Sequence, residues 1–209
     1  MDSIEEYILQ HIDKENPLLS ELYRETHLTQ INPRMASGHI QGRLLAMFCR
    51  MLRPKRILEL GTFTGYSALC MAETLPEDGE LHTIEIDDEM EPFILKYFQK
   101  SPHGHKIKLH IGNLAEIIPT LFGRFDLVFM DADKRRYVQD YEAILPMVPK
   151  GGFVFADNTL WGGKVLTESA SGDKQTAGIR LFNEYIAADK RVEKIILSTR
   201  DGMTILMKK

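Results

Sequence analysis

The sequence predicts an α/β fold of the doubly wound kind, built on a mostly parallel sheet. Three observations carry this. From Lys55 onward, short apolar runs alternate with amphipathic runs of helical length, the β–α–β rhythm of a parallel sheet covered on both faces. The first apolar run ends in the glycine turn Gly61-Thr62-Phe63-Thr64-Gly65. The last two runs flank Asp201-Gly202, a hairpin signal that closes the sheet antiparallel. The 209 residues suit one domain, with helices over residues 1–53 and the α/β core over residues 54–209.

The elements follow in order. Residues 2–30 read as helices, because Ile4, Ile8, Leu9 and Ile12 recur at helical spacing, as do Leu18, Leu19, Leu22 and Tyr23 after Pro17. Asn32-Pro33 breaks that pattern. A third helix spans about Ser37 to Leu52, with Ile40, Leu44, Leu45, Met47 and Phe48 as its apolar face, and Pro54 marks its end. Then come a strand over Arg56–Leu60, a helix over Tyr66–Leu75, a strand over Glu80–Glu85 and a helix over Glu89–Lys100. Strands at Ile107–Ile111 and Phe125–Met130 bracket a helical turn at Leu114–Ile118. A helix over Tyr137–Val148 leads into a strand at Gly152–Ala156. A loop rich in Gly, Ser and Thr covers Trp161–Thr176, followed by a helix over Ala177–Ala188 and strands at Arg191–Ser198 and Met203–Met207.

Composition narrows the function classes. Hydrophobic residues at 44% and charged residues at 27% describe a globular enzyme rather than a disordered chain. A net charge of -4 leans towards a small-molecule substrate, since nucleic-acid binders usually carry a basic excess. Cys49 and Cys70 lie in apolar helical contexts and read as buried free thiols of a reducing cytosol. The acidic start, Met1-Asp2-Ser3-Ile4-Glu5-Glu6, is no signal peptide, and no stretch nears the ~20 apolar residues of a bilayer span. The chain is expected to be cytoplasmic, with no membrane partner.

In an open parallel sheet, ligands bind outside the carboxyl ends of the strands, so the residues that end each strand are the candidates. Gly61 and Gly65 have the spacing G-x-x-x-G, which is neither the dinucleotide fingerprint nor a triphosphate loop. Glu59 before that turn repels phosphates and attracts a cation such as an amino group. Glu85, ending the second strand, suits ribose hydroxyls or is merely solvated. Gly112-Asn113-Leu114 is either an adenine-edge contact or a plain turn.

The fourth and fifth strands end Met130-Asp131-Ala132-Asp133-Lys134 and Ala156-Asp157-Asn158. As neighbours they would bring Asp131, Asp157 and Asn158 to one point. Carboxylates and an amide oxygen are hard ligands, favouring Mg2+, Mn2+ or Ca2+ over zinc or copper and leaving positions open for substrate. The plainer alternative is an N-cap at each helix start, and for Asp133 that alternative is strong. Lys134, at a helix N-terminus where a cation is disfavoured, reads as a proton acceptor or, with Arg135 and Arg136, as a solvated basic patch.

From about Asn32 to its end the chain resembles the cation-dependent O-methyltransferases, the caffeoyl-CoA and catechol O-methyltransferase family. The resemblance rests on Glu59-Leu60-Gly61-Thr62-Phe63-Thr64-Gly65-Tyr66-Ser67, Asp131-Ala132-Asp133-Lys134, Asp157-Asn158-Thr159-Leu160-Trp161 and Arg200-Asp201-Gly202. It implies a Rossmann-like, seven-stranded methyltransferase sheet with its last strand antiparallel, helices on both faces and an N-terminal helical extension. It implies S-adenosyl-L-methionine as methyl donor and a metal held by Asp131, Asp157 and Asn158, with Lys134 taking the proton. Glu59, Gly61, Thr62, Phe63, Ser67, Glu85 and Leu114 would line the cofactor pocket, with Asp131 beside it and Met35 and Ser37 closing over it. Trp161 and Asp201 would face the acceptor, a small molecule with adjacent hydroxyls, catechol-like or hydroxycinnamoyl. A hydroxyuridine of tRNA is the alternative acceptor within the family, and a non-catalytic cofactor-binding module is a further one. Many relatives are homodimers, and Ile4 to Tyr23 would supply part of such an interface. The loop from Gly162 to Thr176 is short and holds none of the tyrosines that help the plant enzymes grip their acceptors.

Overall fold

The computed structural model describes residues 3–167 and 172–209. Its strands are β1 (Arg56–Leu60), β2 (Glu80–Glu85), β3 (Ile107–Ile111), β4 (Leu127–Met130), β5 (Phe153–Asp157), β6 (Val192–Leu197) and β7 (Met203–Lys208). They form one seven-stranded sheet in the order β3-β2-β1-β4-β5-β7-β6. Neighbours run parallel except at β7, which is antiparallel to both β5 and β6. This is the sheet that the alternating pattern and the Asp201-Gly202 hairpin predict.

The helices are α1 (Ser3–His11), α2 (Pro17–Thr29), α3 (Gly38–Leu52), α4 (Tyr66–Ala72), α5 (Glu91–Lys100), α6 (Leu114–Ile117), α7 (Tyr137–Ile144) and α8 (Lys174–Ala188). Two apolar layers sandwich the sheet. Leu22, Leu45, Cys49, Met71 and Ile94 meet Ile57, Leu127 and Phe129 on one face. Tyr141, Ile144, Ile179 and Phe182 meet Leu58, Val128 and Met130 on the other. Alternate residues of β4 therefore point to opposite layers, and all four are buried. Each large side chain so buried contributes roughly 1.5–3 kcal/mol. The thiols of Cys49 and Cys70 are free and buried, and burial pushes both up, Cys49 to about 12, which disfavours the reactive thiolate. No helix among the described residues is long and apolar enough to cross a membrane.

Some boundaries and faces differ from expectation. The buried face of α3 is Gln41, Gly42, Leu45, Ala46 and Cys49, while Met47 is exposed. Small residues, not the largest ones, face inward because α3 lies hard against α4: a Cβ on Gly42 would come within 2.6 Å of the Cys70 sulfur. The stripe expected on the first helix is only partly covered: Ile4 and Ile8 are exposed, Leu9 and Ile12 half-buried. The helix expected to run to Leu75 stops at Ala72, where Thr74 and Leu75 tighten into turns on Met71 and Ala72. The loop after Trp161 contains a 3-10 segment, Trp161–Leu166, and α8 starts early because Asp173 caps the Thr176 amide. Residues 168–171 of that predicted loop, like Met1 and Asp2, lie outside the described residues.

Candidate active site

The strand order reverses between β1 and β4, and in doubly wound sheets ligands bind outside the carboxyl ends of the strands at such a reversal. Gly61, at φ 97°, turns the chain there. A Cβ on it would lie 2.4 Å from the Asp131 carbonyl, so only glycine lets the β1 turn and the end of β4 approach this closely. Below the turn, Glu59 is fully buried and accepts from the Ser67 hydroxyl at 2.5 Å and the Thr83 hydroxyl at 2.6 Å. Thr62 joins this cluster at 2.6 Å from Thr83. Burial pushes the Glu59 carboxyl up to about 8, despite the two hydroxyls that favour its charge.

Glu85 braces the same turn. One oxygen accepts the Phe63 amide at 2.7 Å, and the other accepts the amides of Ile86 and Asp87 at 3.0 Å each. A carboxylate has about four lone-pair sites, so acceptor capacity remains for a ligand hydroxyl. Phe63 takes the left-handed region at φ 49°. Asn113 acts as N-cap of α6, its side chain accepting from Ala115 at 2.9 Å, which puts half-buried Leu114 at the first helical position.

Asp131 and Asp157 follow directly on Met130 and Ala156, which are paired across β4 and β5. Neither serves as an N-cap. Asp131 accepts from the Lys134 ammonium at 2.6 Å, and Asp157 accepts from the Gln41 amide at 2.5 Å. Burial, then the Asp131 charge, pushes the Asp157 carboxyl up to about 6. Lys134 is buried and also donates to the Tyr137 hydroxyl at 2.5 Å, which lies 3.0 Å from the carbonyls of Met130 and of Asp157. Asn158 follows in the left-handed region, φ 58°, which asparagine tolerates better than most residues. Asp133 is an N-cap, accepting from the Arg135 amide at 3.0 Å, as its position predicts.

The acceptor-side candidates are joined through their backbones. The amides of Leu160 and Trp161 donate to the Asp201 carbonyl at 2.7 and 3.1 Å, and the Thr159 amide donates to Gly202 at 3.0 Å. Gly202 permits this, since a Cβ there would come within 2.8 Å of the Leu160 nitrogen. At the N-terminal end of α3, Ser37 is buried and Met35 is 59% exposed. Arg200 donates to the Ser37 carbonyl and, at 2.5 Å, to the Gln41 side-chain oxygen.

Gln41, Tyr137 and Arg200 therefore belong to the cluster although no role was expected of them. A polar residue in line with Leu45 and Cys49, at helical spacing, is the signal for Gln41. Gly178 of α8 is a further surprise: a Cβ there would sit 2.4 Å from the Lys134 carbonyl, so the glycine lets α8 close on that turn.

The donor set fits a hard cation. Two carboxylates emerge side by side, one of them buried and raised by the other's charge, and a cation between them relieves that repulsion. Among the described residues no three His, Cys, Asp or Glu side chains are grouped so as to hold a metal ion.

Comparison with known proteins gives three kinds of likeness. The model of a family described as O-methyltransferase matches residues 10–209. Caffeoyl-CoA O-methyltransferase of Stellaria longipes is 31% identical over 215 residues, covering 97% of this chain and 89% of that one. Tricin synthase 2 of Oryza sativa subsp. japonica is 33% identical over 217 residues, covering 98% of this chain and 74% of that one. Among solved structures, the O-methyltransferase TomG of Streptomyces achromogenes, involved in tomaymycin synthesis and solved with SAM, superposes with a TM-score of 0.92 at 30% identity, covering 99% of this chain and 96% of that one.

Proposed function

This chain belongs to the O-methyltransferase family, and on that premise we propose that it moves the methyl group of S-adenosylmethionine to one hydroxyl of a small molecule bearing two adjacent hydroxyls, with a divalent cation held by Asp131, Asp157 and Asn158. The observation that carries the reading is the pair of carboxylates at one level of β4 and β5, next to the glycine turn and beside a buried lysine. Likeness to TomG, solved with SAM, supports the donor, and the names of the plant relatives support an aromatic hydroxyl as acceptor.

Methyl transfer from a sulfonium is a direct displacement that needs alignment and an ionised acceptor oxygen. Mg2+ or Mn2+, held by Asp131, Asp157 and Asn158, would supply Lewis acidity to the acceptor hydroxyl. Glu59 and the Gly61 turn hold the donor. Lys134 Nζ, in its neutral amine form, would take the acceptor's proton, and Asp131 and Tyr137 hold that nitrogen in place. The acceptor oxygen then bonds to the methyl carbon, the carbon–sulfur bond breaks and its electron pair returns to sulfur. Trp161 and the Asp201 turn border the acceptor.

One observation favours a small molecule over tRNA. The basic run offers little free charge, because Lys134 pairs with Asp131 at 2.6 Å, Arg135 with Asp133 at 2.5 Å and Arg136 with Asp140 at 3.4 Å. Methyl transfer is to be measured over catechols, hydroxycinnamoyl thioesters and bulk tRNA, with and without chelator. Turnover on a catechol or hydroxycinnamoyl acceptor, lost in chelator and in Asp157→Ala, is expected. Undiminished turnover in chelator would remove the metal, and transfer to tRNA alone would replace the acceptor.

A further inference from the structure

We infer that Gln41 is a positioning residue that fixes the Asp157 carboxylate for the cation, and that Arg200 locks it in that role; this rests on the metal reading above. Gln41 lies on α3, 116 positions from Asp157 in the chain, and is 3% exposed. Its Nε2 donates to Asp157 Oδ2 at 2.5 Å, and its Oε1 accepts from Arg200 Nη1 at 2.5 Å. A guanidinium only donates and an ionised carboxylate only accepts, so the group between them must accept at one end and donate at the other. A primary amide does both, and these partners permit a single orientation of it. The guanidinium also polarises the amide, strengthening its N–H towards Asp157.

The consequence is a division of labour on one carboxylate. Oδ2 already accepts from Gln41, which would leave Oδ1 the less committed oxygen for a cation. Arg200 extends the arrangement, since the same Nη1 donates to the Ser37 carbonyl at the start of α3, and Arg200 directly precedes Asp201. One guanidinium thus ties the segment expected to cover the donor, the metal ligand and the turn expected to border the acceptor. An apolar side chain at position 41 would leave Asp157 free to swing and Arg200 without its partner.

Mn2+ binding to the full chain, without acceptor, is the test, read by calorimetry or by the free-ion resonance signal. Gln41→Leu should bind Mn2+ ~10- to 100-fold more weakly than wild type, the usual cost of removing a group that orients a metal ligand. Binding of S-adenosylhomocysteine without metal should stay at its wild-type strength. Arg200→Ala, which keeps the amide but frees it, should weaken Mn2+ less and S-adenosylhomocysteine more. A merely structural role would lower the melting temperature of Gln41→Leu and leave its Mn2+ affinity intact. Wild-type Mn2+ affinity in Gln41→Leu overturns the inference and spares the metal reading. No Mn2+ binding by the wild type overturns both. If Gln41→Leu does not fold, Gln41→Met, close in length and volume, carries the same criterion.

Discussion

Glu59 concentrates the electrostatics of the site in one side chain. It is fully buried, and its carboxyl is pushed up to about 8 from an ordinary value of 4.5. The folded chain therefore holds a proton that the unfolded chain releases at lower pH. The sign follows: this group's contribution to stability is highest below about 4.5 and falls as pH rises to about 8, by on the order of a few kcal/mol. Asp157, raised to about 6, adds a loss of the same sign at lower pH. In Glu59→Gln the amide replaces the titrating carboxyl while both hydroxyl partners can still be satisfied. Denaturant unfolding of the ligand-free protein should show the variant gaining on wild type as pH rises from 5 to 8, while its affinity for the methyl donor falls about tenfold or more. Parallel pH curves for the two proteins would contradict the assignment. At this scale the sequence was most legible where a charge stood at a strand end. Glu59, Asp131, Lys134 and Asp157 were readable because a charged residue at the edge of an apolar run needs a reason. Ser67 and Thr83 as partners of Glu59 depend on packing between a helix and the next strand, which no local pattern encodes.

Strands and turns were read more accurately than helix faces. β1, β2 and β3 begin and end where expected; β1 and β2 are buried almost throughout, and β3 is a part-exposed edge strand. On α3 the expected face is right at Leu45, which is buried, and at Leu44 and Phe48, which pack on the core, but not at Met47, which is exposed. Gly42 and Ala46 are inward since close packing on α4 rewards small side chains, and Gln41 shares that face because Asp157 and Arg200 satisfy it. The same reasoning makes Gly61 the most exacting position among the connections. An alanine there adds the strain of φ 97° and a contact of 2.4 Å with backbone, which cannot move as a flexible side chain would. Gly61→Ala should destabilise by about 2–4 kcal/mol and displace Asp131, measurable as a lower denaturant midpoint together with weaker Mn2+ binding. Unchanged Mn2+ affinity in a destabilised variant would separate the turn from the metal site.

Across the whole molecule, sheet order assembles the site. Reversal between β1 and β4 places the glycine turn beside Asp131, and the antiparallel return of β7 brings Asp201 against Trp161. These long-range placements were legible in outline, because a doubly wound sheet with a terminal hairpin admits few arrangements. Bridging by Arg200 from hairpin to α3 was not legible, since it joins segments 159 or more positions apart through side chains alone. The central claim is that oxygen atoms from the ends of β4 and β5 hold one cation next to the methyl donor. It is tested most directly by a crystal structure with Mn2+, S-adenosylhomocysteine and a catechol, phased for anomalous signal. The account predicts one manganese peak bonded to Asp131, Asp157 and Asn158, with both catechol oxygens on the metal and Lys134 Nζ against one of them. Manganese bound elsewhere, or a catechol seated away from those three side chains, would contradict it.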